Sequence, residues 1–146
     1  MSFTMKLKVK RLSAAARLPS YAHPGDAGMD LYASEAVEIA PGTSSMVRTG
    51  IAIELAPGTE GQVRPRSGLA ARHAITVLNS PGTVDSGYRG EIRVTLINHG
   101  TEVFRVEPGM RIAQLVICPV LTVEVVESSQ LDETQRGTGG FGSTGL

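Results

Sequence analysis

Five of the eight prolines are followed directly by glycine, at Pro24-Gly25, Pro41-Gly42, Pro57-Gly58, Pro81-Gly82 and Pro108-Gly109. Proline presets φ for the second position of a turn and glycine accepts φ > 0 at the third, so each pair predicts a type II turn. The stretches between the turns are short and β-branched, with Val, Ile and Thr totalling 34 of 146 residues. That pattern indicates an all-β sandwich or barrel. Candidate strands are Phe3 to Lys10, Met29 to Ala33, Ala36 to Ile39, Met46 to Leu55, Gly61 to Arg64, Ile75 to Leu78, Glu91 to Asn98, Val103 to Glu107, Arg111 to Cys118 and Val120 to Glu127. Ten short strands fit a jelly-roll-like sandwich. The one helical stretch is Leu69 to His73, entered through Ser67-Gly68, with Ser67 as the expected N-cap.

Size and charge narrow the class. A chain of 146 residues suits one domain and buries roughly two-thirds of its surface. Fourteen basic residues balance fourteen acidic ones, which argues against sequence-independent nucleic-acid binding and against a polybasic membrane contact. A single cysteine, Cys118, excludes an internal disulfide framework and a multi-cysteine zinc site. No apolar run approaches the ~20 residues of a membrane helix, and the first eleven residues lack the pattern of a secretory signal. The expectation is an intracellular protein, in the cytoplasm, with no membrane and no nucleic-acid partner.

Composition shifts after Glu127. Residues 129–146 form a polar, then glycine-rich tail, and residues 1–128 hold the domain. Gly137 to Leu146 carries five glycines, three hydroxyl residues and Phe141. Such a tail cannot bury enough apolar surface to fold alone and is usually a disordered end. Here Phe141 stands isolated among glycines with Arg136 just before it. An aromatic plate and a cation on a flexible arm suit closure over an aromatic, anionic ligand. Gly137-Thr-Gly-Gly-Phe-Gly142 matches GxGxxG, but no helix or βαβ unit follows, and the lysine of a phosphate loop is absent. What remains is a run of main-chain N–H groups able to form an anion nest.

Pro65-Arg66-Ser67-Gly68-Leu69-Ala70 ends a strand and opens the helix. Free N–H groups there suit a phosphate, and Arg66 adds a fork of donors. An ordinary capped helix with a surface arginine would look the same locally. Aspartates are scarce: Asp26, Asp30, Asp85 and Asp132. Asp30 lies beside glycine at the start of a strand, and Asp85 lies in a glycine-rich loop. A single aspartate in such a loop usually forms the turn itself. Two of them also suit a general base and a water-mediated Mg²⁺ contact. His23, His73 and His99 show no ligand spacing, and Cys118 sits in an apolar strand as a small core residue.

Together the segments Ala27-Gly-Met-Asp-Leu-Tyr-Ala33, Pro65-Arg-Ser-Gly-Leu-Ala70, Gly82-Thr-Val-Asp-Ser-Gly-Tyr-Arg-Gly-Glu-Ile92, Gly109-Met-Arg-Ile-Ala-Gln-Leu-Val-Ile117 and Arg136-Gly-Thr-Gly-Gly-Phe-Gly-Ser-Thr-Gly145 resemble the five motifs of the trimeric deoxyuridine triphosphate nucleotidohydrolases (dUTPases). The likeness spans nearly the whole chain. It implies a distorted jelly roll, a ring of three subunits, and active sites built from more than one chain with the arm closing over them. Segment Val120 to Val126 is then a candidate to pair with a neighbour.

The resemblance implies hydrolysis of dUTP to dUMP and pyrophosphate, by in-line attack of water on the α-phosphate. Such a reaction limits uracil in DNA and supplies dUMP for thymidylate synthesis. Asp85 would hold and deprotonate the water. Arg66, Ser67, Gly68 and Gln114 would contact the phosphates, Arg136 would reach the γ-phosphate, and Mg²⁺ would ride on the triphosphate with Asp30 touching its water shell. Base choice would come from the stretch holding Asn79, Gly82, Thr83 and Val84. Tyr88 would pack on the deoxyribose, Phe141 would stack on uracil beside Gly142 and Ser143, and Arg93 would line the site near the base. Two rivals share the fold: a dCTP deaminase, alone or bifunctional, and a non-enzymatic binding module. No extra glutamate is placed for deamination, and a binding module has no need of the arm.

Overall fold

The computed structural model describes residues 4–146. Ten strands and one helix follow in order: β1 Lys8–Arg11, β2 Gly28–Tyr32, β3 Val37–Ile39, β4 Ser44–Glu54, β5 Thr59–Arg64, α1 Ser67–His73, β6 Ile75–Val77, β7 Gly82–Val84, β8 Glu91–Asn98, β9 Phe104–Val106 and β10 Arg111–Pro119. They form two four-stranded sheets, ordered β1-β4-β8-β6 and β2-β10-β5-β7, and a separate β3-β9 pair. The pairings are antiparallel. The chain is therefore the all-β, jelly-roll architecture with one short helix that its turns and β-branched runs foretell.

Alternation makes the core. Along β8, Ile92, Val94, Leu96 and Asn98 are buried while their neighbours are not. Along β2, Met29 and Leu31 point inward and Asp30 outward. Leu31, Val63 and Leu115 meet Val47, Ile51, Val94 and Leu96 in one apolar cluster. Among the described residues two polar side chains, Thr49 and Asn98, are fully buried, and both are bonded. Thr49 Oγ1 donates to the Ile92 carbonyl at 2.5 Å. Asn98 Nδ2 donates to the carbonyls of Ile39 (2.9 Å) and Glu102 (2.8 Å), and its Oδ1 accepts from Gly100 N at 2.8 Å.

Four of the five Pro-Gly turns form as expected. Gly25, Gly42, Gly58 and Gly109 have positive φ, and each turn closes with a main-chain bond between its first and fourth residues. The fifth pair differs. The Ser80–Pro81 peptide is cis, and Gly82 opens β7, paired with Val63. A stretch that reads locally as a loop is thus a strand, because β5 offers it an edge. The converse holds at Val120 to Glu127, where no strand forms. Val120 N bonds the Gly58 carbonyl at 2.9 Å, and beyond it Leu121, Val123, Val125 and Val126 are all exposed. A β-prone segment becomes a strand only where it meets a partner edge, and past Val120 the segment meets none within this chain.

Two smaller expectations change. Ser67 is not the N-cap: Arg66 occupies that position in extended conformation, with no side-chain cap bond, and Ser67 is already helical. The first strand begins at Lys8; Phe3 lies outside the described residues. No helix among the described residues is long and apolar enough to cross a membrane.

Replacing Asn98 by Ala leaves the buried Ile39 carbonyl, the half-buried Glu102 carbonyl and the Gly100 N–H without their side-chain partner. The expected cost is about 2–4 kcal/mol. Urea denaturation should show a lower midpoint with an unchanged slope, and an unchanged midpoint would refute the role given to Asn98.

Candidate active site

The expected site residues fall into two groups and an arm. The first group is organised by β10. Its Gln114 pairs with Asp30 on β2 and with Arg64 on β5, so the three stand in one lateral row. Gln114 Nε2 donates to the Pro65 carbonyl at 3.0 Å, which holds the turn leading into α1. Gly28 makes this possible: a Cβ there would overlap the Gln114 side-chain amide. Asp30, mostly buried, lies 3.6 Å from Arg66 Nε on one side and 3.6 Å from Arg111 Nε on the other. Arg66 Nη1 also donates to the Arg111 carbonyl at 3.4 Å. At the start of α1 the N–H groups of Ser67 and Gly68 have no intrahelical acceptor. This corner therefore carries two guanidinium groups, free N–H donors and one carboxylate.

The second group surrounds β7, which is an edge strand of its sheet. A cavity of about 230 Å³ is lined by Met46, Thr83, Val84, Asp85, Tyr88, Glu91, Ile92 and Arg93. A smaller one of about 70 Å³ is lined by Asn79, Gly82, Thr83, Val84 and Arg93, with Val63, Val77, Val94 and Thr95 behind them. Thr83, Val84 and Arg93 wall both. Asp85 is exposed, and among the described residues its carboxylate makes no hydrogen bond or ion pair. Tyr88 Oη donates to the Glu91 carbonyl at 2.9 Å, and Tyr88 N bonds the Asp85 carbonyl at 3.0 Å. Arg89 points elsewhere. It bonds the Ser86 carbonyl at 2.7 Å and lies 3.7 Å from Glu54, so it pins the loop from outside. Lys8 and Arg89 together hold the Glu54 carboxyl below its ordinary range, the hydrogen bond from Lys8 being the larger cause.

Within one chain the two groups stand apart. Asp30 lies on β2 at one edge of the sheet and β7 forms the other edge. Asp85 is also displaced along the strands, since Arg64 shares the row of Asp30 while Val63 already faces Gly82. Standard strand spacing and rise then separate Asp30 from Asp85 by roughly 20 Å.

The arm joins neither group. Arg136 Nε donates to the Gly139 carbonyl at 2.9 Å. Gly139, Ser143 and Gly145 close successive turns. Phe141 is fully exposed, with φ of 50°. Gly142 and Ser143 lie in the same turns. Met46, Glu91 and Arg111 join the site although local sequence does not single them out. Each is placed by strand pairing, and a heavier reading of the residues flanking Tyr88 would have found only Glu91.

The two-sheet jelly roll, with a cationic row on one corner and a free carboxylate beside a cavity on another, belongs among the all-β proteins. More particularly, the chain belongs to the dUTPase family, whose model matches residues 14–145. It is 65% identical over 142 residues to the deoxyuridine 5'-triphosphate nucleotidohydrolase of Gloeothece citriformis, covering 97% of this chain and 98% of that one. It is 60% identical to the enzyme of the same name from Clostridium acetobutylicum, at the same coverage. Among solved structures it is similar to the dUTPase of Staphylococcus bacteriophage 80alpha with dUpNHpp. The TM-score is 0.92 at 29% identity, covering 98% of this chain and all of that one.

Gly28→Ala should force the Gln114 amide off the Pro65 carbonyl and destabilise the fold by about 1–3 kcal/mol. The check is the Gln114 side-chain amide resonance. An unmoved signal in the variant would show that the close approach is not real.

Proposed function

We propose that this chain hydrolyses dUTP to dUMP and pyrophosphate, with Asp85 as the general base. The observation that carries the reading is the unpaired Asp85 carboxylate at a cavity walled by Thr83, Val84, Tyr88 and Arg93. β7 leaves main-chain groups on its outer edge, where donors and acceptors can match uracil. Cytosine reverses the pattern at its 4-position and leaves buried groups unpaired, which discriminates strongly. Tyr88 lies where the sugar would pack and leaves no room for a 2′-hydroxyl. Asn79, Gly82 and Arg93 complete the wall on the base side.

Asp85 takes a proton from water as the water oxygen bonds to the α-phosphorus. The bond from that phosphorus to the bridging oxygen breaks, and pyrophosphate departs. The proton then passes from Asp85 to solvent. A positioned base contributes about 10²–10⁴-fold. Arg66, the N–H groups of Ser67 and Gly68, and Gln114 stabilise the charge that gathers on the phosphate oxygens. Arg136 from the arm meets the γ-phosphate. Phe141 covers the base, flanked by Gly142 and Ser143.

Mg²⁺ fits this site only as cargo of the substrate. Among the described residues no three His, Cys, Asp or Glu side chains are grouped to ligate a metal. Asp30 offers one carboxylate already set between two arginines, whereas Mg²⁺ demands an octahedron of oxygens. Asp30 would meet the ion through its water shell. When bound to the phosphates, the ion neutralises their charge and orients them.

The working unit is an assembly of three chains. Asp85 and the Arg66–Gln114 corner are too far apart in one chain to grip one triphosphate, so each site takes its halves from different copies. The exposed apolar run of residues 121–126 also requires cover, and pairing with a neighbouring copy supplies it. Residues 1–128 then act as the domain and 129–146 as the arm that closes over a site. The compartment follows the substrate, a nucleotide of the cell interior.

Asp85→Asn should lower kcat by at least about 100-fold while dUTP still binds. Pyrophosphate release across dUTP, dTTP, dCTP and UTP should be confined to dUTP, and ammonia from dCTP would instead support the deaminase. Shared sites make a second prediction. Asp85→Asn and Arg66→Ala chains, each inactive alone, should regain part of the activity when co-refolded, because mixed trimers contain some intact sites. No recovery in mixed trimers confirmed by mass spectrometry would rule out sites built between copies.

A further inference from the structure

We propose that Glu91 is a positioning residue for sugar selection and nucleotide affinity, acting through Tyr88 and Arg93. The inference rests on the reading that the Asp85 cavity takes the deoxyribose of dUTP.

Glu91 makes three contacts. Its Oε2 accepts from Gly50 N at 3.0 Å and its Oε1 accepts from Arg93 Nε at 3.1 Å. Its carbonyl accepts from Tyr88 Oη at 2.9 Å. The side chain is only 14% exposed. The first contact is an anchor. Gly50 sits at the irregularity of β4, between the Arg48↔Arg93 and Ala52↔Glu91 pairs, with φ of +70°. A Cβ there would press on Ser13 and Ala16, so its position is tightly enclosed. Glu91 is therefore tied to a fixed point of the opposite strand.

What hangs from that anchor lines the cavity. Tyr88 lies against Gly90, where a Cβ would collide with the phenol ring, and its hydroxyl is held by the Glu91 carbonyl. A wall that must refuse one extra hydroxyl works only if it does not yield. Arg93, 44% exposed on its side chain, would sample many rotamers if free. The Glu91 carboxylate holds it where both cavities meet, so that less freedom is lost when an anionic nucleotide binds.

Substitutions separate the two arms. A glutamine at 91 still accepts from Gly50 N, but its amide faces Arg93 donor to donor. Glu91→Gln should therefore keep the dUTP-over-UTP preference in kcat/KM, while raising KM for dUTP about fivefold with kcat unchanged. Arg93→Met should raise KM similarly, and the double variant should add nothing further. Glu91→Ala removes the anchor and should lower the dUTP-over-UTP preference about tenfold. Tyr88→Phe should lower the preference too, with no further loss on Glu91→Ala.

A folded Glu91→Ala chain with unchanged preference and KM overturns the proposal, as do fully additive KM effects of Glu91→Gln and Arg93→Met. Should Glu91→Ala fail to fold, the Glu91→Gln and Arg93→Met pair decides alone. Wild-type protein that turns over no dUTP removes the reading beneath the proposal. Normal wild-type turnover with indifferent variants removes the proposal only.

Discussion

Apart from Arg136 on the arm, the groups expected to meet the phosphates take their position from β10, which is bonded along both edges, to β2 and to β5. Side chains alternate along a strand, so a slip of one residue would bury Gln114 and turn Ala113 or Leu115 outward. The core prevents this. Ala113 and Leu115 are fully buried, as is Leu31 across from Ala113. Apolar packing on one face thus sets the polar row on the other. Gly28 removes the last obstacle by giving the Gln114 amide room to reach Pro65.

The same economy of structure governs the cavity beside Asp85. β7 has only three residues and pairs on one side. It is steadied by the loop that follows, where Tyr88 folds back on Gly90 and Arg89 ties Ser86 to Glu54 on the far side. Asp85 hangs between a short strand and a braced loop, and among the described residues no side chain bonds or pairs with its carboxylate. A base that must hold a water gains from being left unpaired, provided its backbone is not free to wander.

Much of this was legible in the residues, and the exceptions have a common cause. Four Pro-Gly turns follow from local backbone preference alone, and they appear. The alternation of β8 and the buried face of β2 are likewise local patterns. Pro81-Gly82 and Val120 to Glu127 read locally as a turn and as a strand, and both readings change because a strand exists only where another strand accepts it. Arg111 beside Asp30, and Met46 beside Arg93, depend on which strands become neighbours. Nothing in their own segments reports that. Five short motifs identified the family because they carry shared ancestry, and they left open which of them meet in one chain.

If each site is shared between copies as proposed, the exposed apolar run and the divided site have a joint consequence. A lone chain would be both inert and adhesive. Output would rise more steeply than the number of copies synthesised, with a threshold set by how tightly the copies associate. The chain would then be switched on by its own abundance, and dilution alone would silence it without damage to any residue.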